Sequence, residues 1–255
     1  MKLQSEKKVK LRNIEFGGDR IRSVVAVIPS GEEELAGQLP VALSSGADAV
    51  EIRIVRYPET GELADALSRV PGIKTRETPI ILSLNEEGSD YCHTDSQRLE
   101  LAEDCIREEL VDAVDVESIC SDRMLGQIRM MADKKGVRLI LSELDFLGIA
   151  SADAIEERAE EMQKKGADMI KLMYLANNDL DLVRAAEAAK QMKTKHAVKV
   201  PFCVSTLGDV GLMYRVLADR CGNDFSYSVL KSGAEGMLLE TYYQNAELRQ
   251  MFARN

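Results

Sequence analysis

The run Met169-Ile170-Lys171-Leu172-Met173-Tyr174-Leu175 is apolar and of β-strand type, with a single lysine inside it. Burial disfavours an ammonium, and a neutral lysine amine is the nucleophile that condenses with a ketone to form a Schiff base. The same residue has a second reading, as a structural cation paired with a carboxylate on a neighbouring strand. Other polar residues interrupt apolar runs in a similar way. Glu51 and Arg53 flank Ile52, so strand alternation puts both charges on one side. Asp115 and Glu117 repeat that spacing. Asn85-Glu86-Glu87-Gly88, Ser142-Glu143-Leu144-Asp145 and Ser205-Thr206 each end an apolar run, and Arg215 lies further on. An interior lined by Glu51, Arg53, Glu117 and Lys171 makes sense as a site or as a network of paired charges, because unpaired buried charge is too costly. Asp115 and Glu117 also fit as anchors for Arg53. Arg215 fits either an anion-binding group or a solvated helix residue. His93 and His196 read as loop and surface residues. Met124, Met130 and Met131, at helical spacing, read as core.

These residues need elements to position them, and the 255-residue chain has an alternating rhythm. Apolar runs at 24–28, 50–54, 80–84, 113–116, 137–141, 169–172, 200–204 and 225–230 are separated by stretches of helical period such as 32–44 and 153–165. Asp95-Ser96, Ser121-Asp122 and Asn178-Asp179 are helix-start signals. Gly46, Gly136 and Gly166 each sit between a helix and a strand, where a left-handed cap is needed. The near-copies SSGADAVEIR and KKGADMIKLM repeat that join. Near-continuous apolar strands alternating with helices imply a parallel sheet covered by helices. Eight such units predict a single (β/α)8 TIM barrel over 1–255, with an open doubly wound sheet as the alternative. No Gly-x-Gly-x-x-Gly follows a strand, which weakens the nucleotide-binding form of that alternative. Residues 1–22 read as an N-terminal hairpin closing the barrel bottom, with arms 9–14 and 21–25 around Gly17-Gly18-Asp19. Catalytic groups in such barrels gather at the carboxyl ends of the strands, where the polar residues above lie.

Composition narrows the function classes. A net charge of -10 argues against nucleic acid as a partner. No run approaches the ~18 apolar residues needed to span a membrane, and Met1 to Lys10 is too polar to read as a secretory signal. Five widely spaced cysteines read as reduced cytoplasmic thiols. Two distant histidines, with no cysteine pair near either, give no zinc-site pattern.

The order and spacing of several short segments resemble type I 3-dehydroquinate dehydratase, the Schiff-base (β/α)8 enzyme of the shikimate pathway. They are AVIPSGEEEL, GADAVEIR, EEG after the third strand, LVDAVDVE, LILSELDF, GADMIKL, STLGDVGLMYR and FSYSVLKSGAEG. The resemblance covers essentially the whole chain. It implies that Lys171 is the Schiff-base lysine, that Glu51 and Arg53 are the acidic and basic pair of the site, and that Arg215 grips the substrate carboxylate. Glu87 matches the glutamate that orients the general base. The sequence also departs from the family pattern. The family's Ser-x-His-Asp-Phe reads Ser142-Glu143-Leu144-Asp145-Phe146 here, so Leu144 stands where the acid/base histidine is expected. Asn85 replaces an arginine, and Gly233 and Met237 replace the serine and glutamine of the closing substrate loop. Glu143 and Glu87 are the candidates to replace the lost proton shuttle. The resemblance implies a small keto acid like 3-dehydroquinate as substrate, no cofactor and a homodimer. Three readings stay open: a divergent and impaired dehydratase, a Schiff-base lyase or aldolase on another keto acid, and a non-catalytic relative that binds or regulates.

Overall fold

The computed structural model describes residues 3–86, 90–149, 151–230 and the backbone of 237–238. The chain opens with a short antiparallel hairpin, β1 (Val9–Leu11) and β2 (Ile14–Phe16). This corrects the sequence reading. The turn is at Arg12-Asn13, with Arg12 at φ 52°, and not at Gly17-Gly18-Asp19. The residues expected as the second arm instead belong to β3 (Arg22–Val27), which pairs in parallel with two strands distant in sequence. Gly-Gly-Asp is a strong local turn signal, but here it carries the chain from the hairpin into the barrel.

Seven further strands follow: β4 (Ala49–Arg53), β5 (Ile80–Ser83), β6 (Ala113–Glu117), β7 (Arg138–Asp145), β8 (Met169–Leu175), β9 (Phe202–Leu207) and β10 (Phe225–Val229). The helices between them are α1 (Glu32–Ser44), α2 (Thr60–Arg69), α3 (Asp95–Arg107), α4 (Asp122–Lys135), α5 (Ala152–Lys164), α6 (Asp179–Thr194) and α7 (Gly208–Cys221). A two-residue strand, β11 (Met237–Leu238), adds to β10. Strands β3 to β9 pair in sequence order and β10 returns to β3, giving a nearly closed (β/α)8 barrel. Helix starts follow the sequence signals. Ser121 and Asn178 accept the N–H groups of Met124 and Asp181, while α3 is capped one residue before the expected Asp95, by a Thr94–Gln97 capping box. Gly46, Gly136 and Gly166 all have positive φ. Met124 is in the core, whereas Met130 is 53% exposed, because it lies on the outer side of α4.

The bottom of the barrel is held by a device used four times. Asp48, Asp112, Asp168 and Asp224 each stand just before every second strand. Each donates its N–H to a carbonyl of the preceding strand (Ser23, Ile80, Leu139 and Phe202) at 2.8–3.0 Å. Each carboxylate accepts the N–H of that same residue at 2.8–2.9 Å. A cation then neutralises each one: Arg22, Arg76, Arg129 and Lys193, respectively. Strands β9 and β10 share no ladder, so there the Asp224 clamp and a two-way bond between Asn223 and Val204 join the seam.

Above the clamps lies an apolar floor with one residue from each strand: Val24, Ala49, Ile81, Ala113, Ile140, Met169, Cys203 and Phe225. The hairpin plugs it from below with Val9, Leu11 and Phe16, whose ring meets Phe225 edge-on at 5.8 Å. The outer faces of the strands pack on the helices in a second, larger core. This two-sided burial is why the strands read as nearly continuous apolar runs. Among the described residues no helix is long and apolar enough to cross a membrane.

Candidate active site

One step up from the floor, the inward residues of seven strands turn polar: Glu51, Ser83, Asp115, Ser142, Lys171, Ser205 and Tyr227, with Ala26 of β3 as the exception. The layer therefore has an apolar floor under it and lies on the carboxyl-end side of that floor. Lys171 is 1% exposed and sits between two carboxylates, with Nζ 2.9 Å from Glu51 Oε1 and 2.7 Å from Asp115 Oδ2. Nζ also lies 4.9 Å from the centre of the Tyr227 ring.

The two carboxylates are built differently. Glu51 also accepts Arg53 Nε at 2.6 Å and the Tyr227 hydroxyl at 2.5 Å. Burial opposes its charge, but Lys171, Arg53 and the phenol outweigh burial and hold the carboxyl at about 2. Asp115 goes the other way. Burial pushes its carboxyl up, Lys171 offsets that in part, and the nearby Glu51 charge pushes it up again. The Asp115 Oδ2 atom accepts from Lys171, Ser83 Oγ (3.1 Å) and Asn85 Nδ2 (3.3 Å), while Oδ1 has no partner among the described residues. Asp115 was expected as an anchor for Arg53; it is instead the second carboxylate on Lys171. Glu117, 8% exposed, stands two residues above it on the same face.

The other sequence candidates separate cleanly. Asn85 is brought into the site, 3% exposed, with Nδ2 2.9 Å from Ser142 Oγ. Leu144 follows Ser142 on the inward face of β7, in register with Met173 of β8, so an apolar pair lies one step above Lys171. Glu143 is not brought together with Lys171. It points to the outer face, where it binds the Tyr174 hydroxyl at 3.1 Å and Arg158 at 2.7 Å. As a catalytic candidate it is corrected by simple alternation. Arg215 is no solvated helix residue: it is 3% exposed, and its Nε donates to the Thr206 carbonyl at 2.9 Å. Gly211 makes that possible, since a Cβ there would lie 2.7 Å from the Thr206 backbone. Only glycine lets α7 press on the end of β9 with Arg215 one turn further along the same face. His196 is exposed beside Glu6, as expected. His93 is in a loop but is 5% exposed, its N–H held by Glu86 and its Nε2 without a partner among the described residues. Glu87 and Gly233 lie outside the described residues; Met237 is described only as backbone of β11.

Sequence reasoning missed Tyr227 and gave Ser142 no role in the site. Both were accessible through alternation, since Phe225 and Tyr227, like Ile140 and Ser142, occupy successive inward positions. Buried polar atoms of Asn85 (Oδ1), Asp115 (Oδ1) and Ser205 (Oγ) have no partner among the described residues. Each such atom costs ~1–3 kcal/mol, a cost that a ligand carrying several hydroxyls would relieve.

The sequence pattern of type I 3-dehydroquinase matches residues 23–251. The chain belongs to the type I 3-dehydroquinase family. Among curated relatives, the 3-dehydroquinate dehydratase of Enterococcus faecalis is 22% identical over 252 residues, covering 94% of this chain and 99% of that one. The enzyme of Klebsiella pneumoniae subsp. pneumoniae is 24% identical over 235 residues, covering 90% and 93%. Among solved structures, the 3-dehydroquinate dehydratase of Geobacillus kaustophilus superposes with a TM-score of 0.90 at 18% identity, covering 99% of each chain. The type I enzyme of Clostridium difficile, solved with covalently modified comenic acid, gives 0.88 at 21% identity, covering 95% of this chain and 97% of that one. A family shared at such low identity leaves wide room for change within the polar layer.

Proposed function

We propose that this member of the family is a Schiff-base lyase that converts 3-dehydroquinate to 3-dehydroshikimate and water, slowly for its family. The observation that carries the reading is Lys171 Nζ, buried above an apolar floor and held between the Glu51 and Asp115 carboxylates. In this reading the amine condenses with the substrate ketone, and the iminium acidifies the adjacent carbon. Arg215 holds the substrate carboxylate. The Glu51–Arg53 pair and Asn85 are assigned to its hydroxyls, and the resemblance adds the positions of Gly233 and Met237. The covalent comenic acid in the Clostridium difficile relative supports covalent capture as a property of the family. The resemblance puts Leu144 where a histidine would move the proton, and general acid–base help is worth ~10²–10⁴ in rate. Glu87 is then the group left to take that proton. A cytoplasmic homodimer completes the proposal.

The same Leu144 favours one second reading. An apolar residue above the imine suits a Schiff-base lyase or aldolase whose keto acid needs no base at that position. The test is the absorbance of the conjugated product on incubation with 3-dehydroquinate. Slow product from the native chain, rising ~10²-fold or more in Leu144→His, is the expected result. No product from either protein, together with trapped adducts from other keto acids, would overturn the first reading in favour of the second. No product and no adduct would leave a binding protein.

A further inference from the structure

We infer that Asp115 is a catalytic residue, the proton carrier for Lys171 in forming and breaking the Schiff base, while Glu51 is the fixed counter-charge. The inference rests on the Schiff-base reading and deepens it. The geometry divides the two carboxylates. Glu51 has both oxygens engaged, by Lys171 and Arg53 on Oε1 and by Tyr227 on Oε2. It is locked as an anion and cannot take up a proton without losing a cation. Asp115 touches the reacting nitrogen at the shorter distance, 2.7 Å against 2.9 Å. Its other donors, Ser83 Oγ and Asn85 Nδ2, are neutral, and its Oδ1 is buried without a partner among the described residues. Two neighbouring carboxyls whose surroundings push them apart in acidity are the pattern of a divided acid/base assignment. The upward shift of the Asp115 carboxyl, caused first by burial, agrees with the geometry.

The steps balance. The Lys171 ammonium passes one proton to Asp115 Oδ2. The Nζ lone pair forms a bond to the ketone carbon, and the carbonyl π pair moves to oxygen. Asp115 gives its proton to that oxygen, then takes a second proton from Nζ. It delivers this one to the carbinolamine hydroxyl as the C–O bond breaks, water leaves and the nitrogen lone pair closes the C=N bond. The net change is ammonium plus ketone to protonated imine plus water, with Asp115 returned as a carboxylate. The step needs no histidine, which is why Lys171 keeps a use in a chain with Leu144 above it.

The test is the initial rate of adduct formation, measured by mass spectrometry after borohydride quenching at timed intervals, with 3-dehydroquinate or another keto acid that the native chain captures. Asp115→Asn, nearly isosteric, should slow capture ~10²-fold or more while Lys171→Ala captures nothing. Asp115→Ala with added formate should recover part of the rate, which a purely structural role would not produce. Capture by Asp115→Asn at the native rate would overturn the inference and leave the Schiff-base reading intact. No capture by the native chain with any keto acid would overturn both. Should neither variant fold, the native pH profile decides. The charged or titratable groups around Asp115 are Lys171, Glu51, Arg53 and Tyr227, with Glu117 two residues above it on the same face. The expected rate falls with acid already above the ordinary carboxyl range, and a rate that stays level down to about pH 4 would overturn the inference.

Discussion

Replacing Glu51 by Gln keeps its shape and removes the charge that both Lys171 and Arg53 lean on. The cost follows from the folded carboxyl. Its ordinary value is 4.5 and in the barrel it is about 2. At ~1.36 kcal/mol for each pH unit between those values, the charged form contributes about 3 kcal/mol of stability at neutral pH. That agrees with the ~3–5 kcal/mol lost when one partner of a buried pair is removed. The sign is set by the lowered value. The contribution is complete above about pH 4.5 and fades as pH falls toward about 2, because the unfolded chain then takes up the proton first. Urea unfolding of the native chain and Glu51→Gln at pH 7, 5, 4 and 3 is the assay. The gap between them should be about 3 kcal/mol at pH 7 and shrink clearly by pH 3. A gap of the same size at every pH would refute the reasoning, since it would mean that shape, not charge, makes Glu51 important.

Other outcomes follow from single contacts. Gly211→Ala should raise the KM for a carboxylate-bearing substrate more than it lowers kcat, and should cost ~1–3 kcal/mol in stability. The added methyl pushes α7 off Thr206 and carries Arg215 with it; unchanged KM in steady-state kinetics would contradict this. Thiol labelling in the folded protein should reach the exposed Cys92 first. Cys105 and Cys203 should stay unlabelled until unfolding, since burial pushes both thiols up to about 12. Mass-mapped labelling checks the order.

Much of the barrel could be read from the chain because its elements are fixed by local pattern. Two-sided burial makes apolar runs, and Ser121, Asn178 and the glycines after helices punctuate them where the structure does. Several misreadings depend on long-range partners. The sequence puts the hairpin turn at Gly17-Gly18-Asp19 because nothing local shows that β3 pairs with β4 and β10. His93 looked like a surface loop residue because its burial comes from the packing of that loop. Lys171 and Glu51 are legible as lining one interior, with Glu51 and Glu117 both open as partners of the lysine. Asp115 fits equally as an anchor for Arg53, since spacing tells which face a residue is on but not which cation is nearest. Alternation alone separates inward Leu144 from outward Glu143, and the structure shows how firmly Arg158 and Tyr174 hold Glu143 outside.

The central claim is that Lys171 is a nucleophile and not only a paired cation. Peptide mapping by mass spectrometry after borohydride reduction with 3-dehydroquinate tests it most directly. A reduced adduct on Lys171, absent from Lys171→Ala, is the predicted result. An unmodified Lys171 in a folded protein, with 3-dehydroquinate and with every other keto acid tried, would contradict it and leave the lysine as the clasp between Glu51 and Asp115.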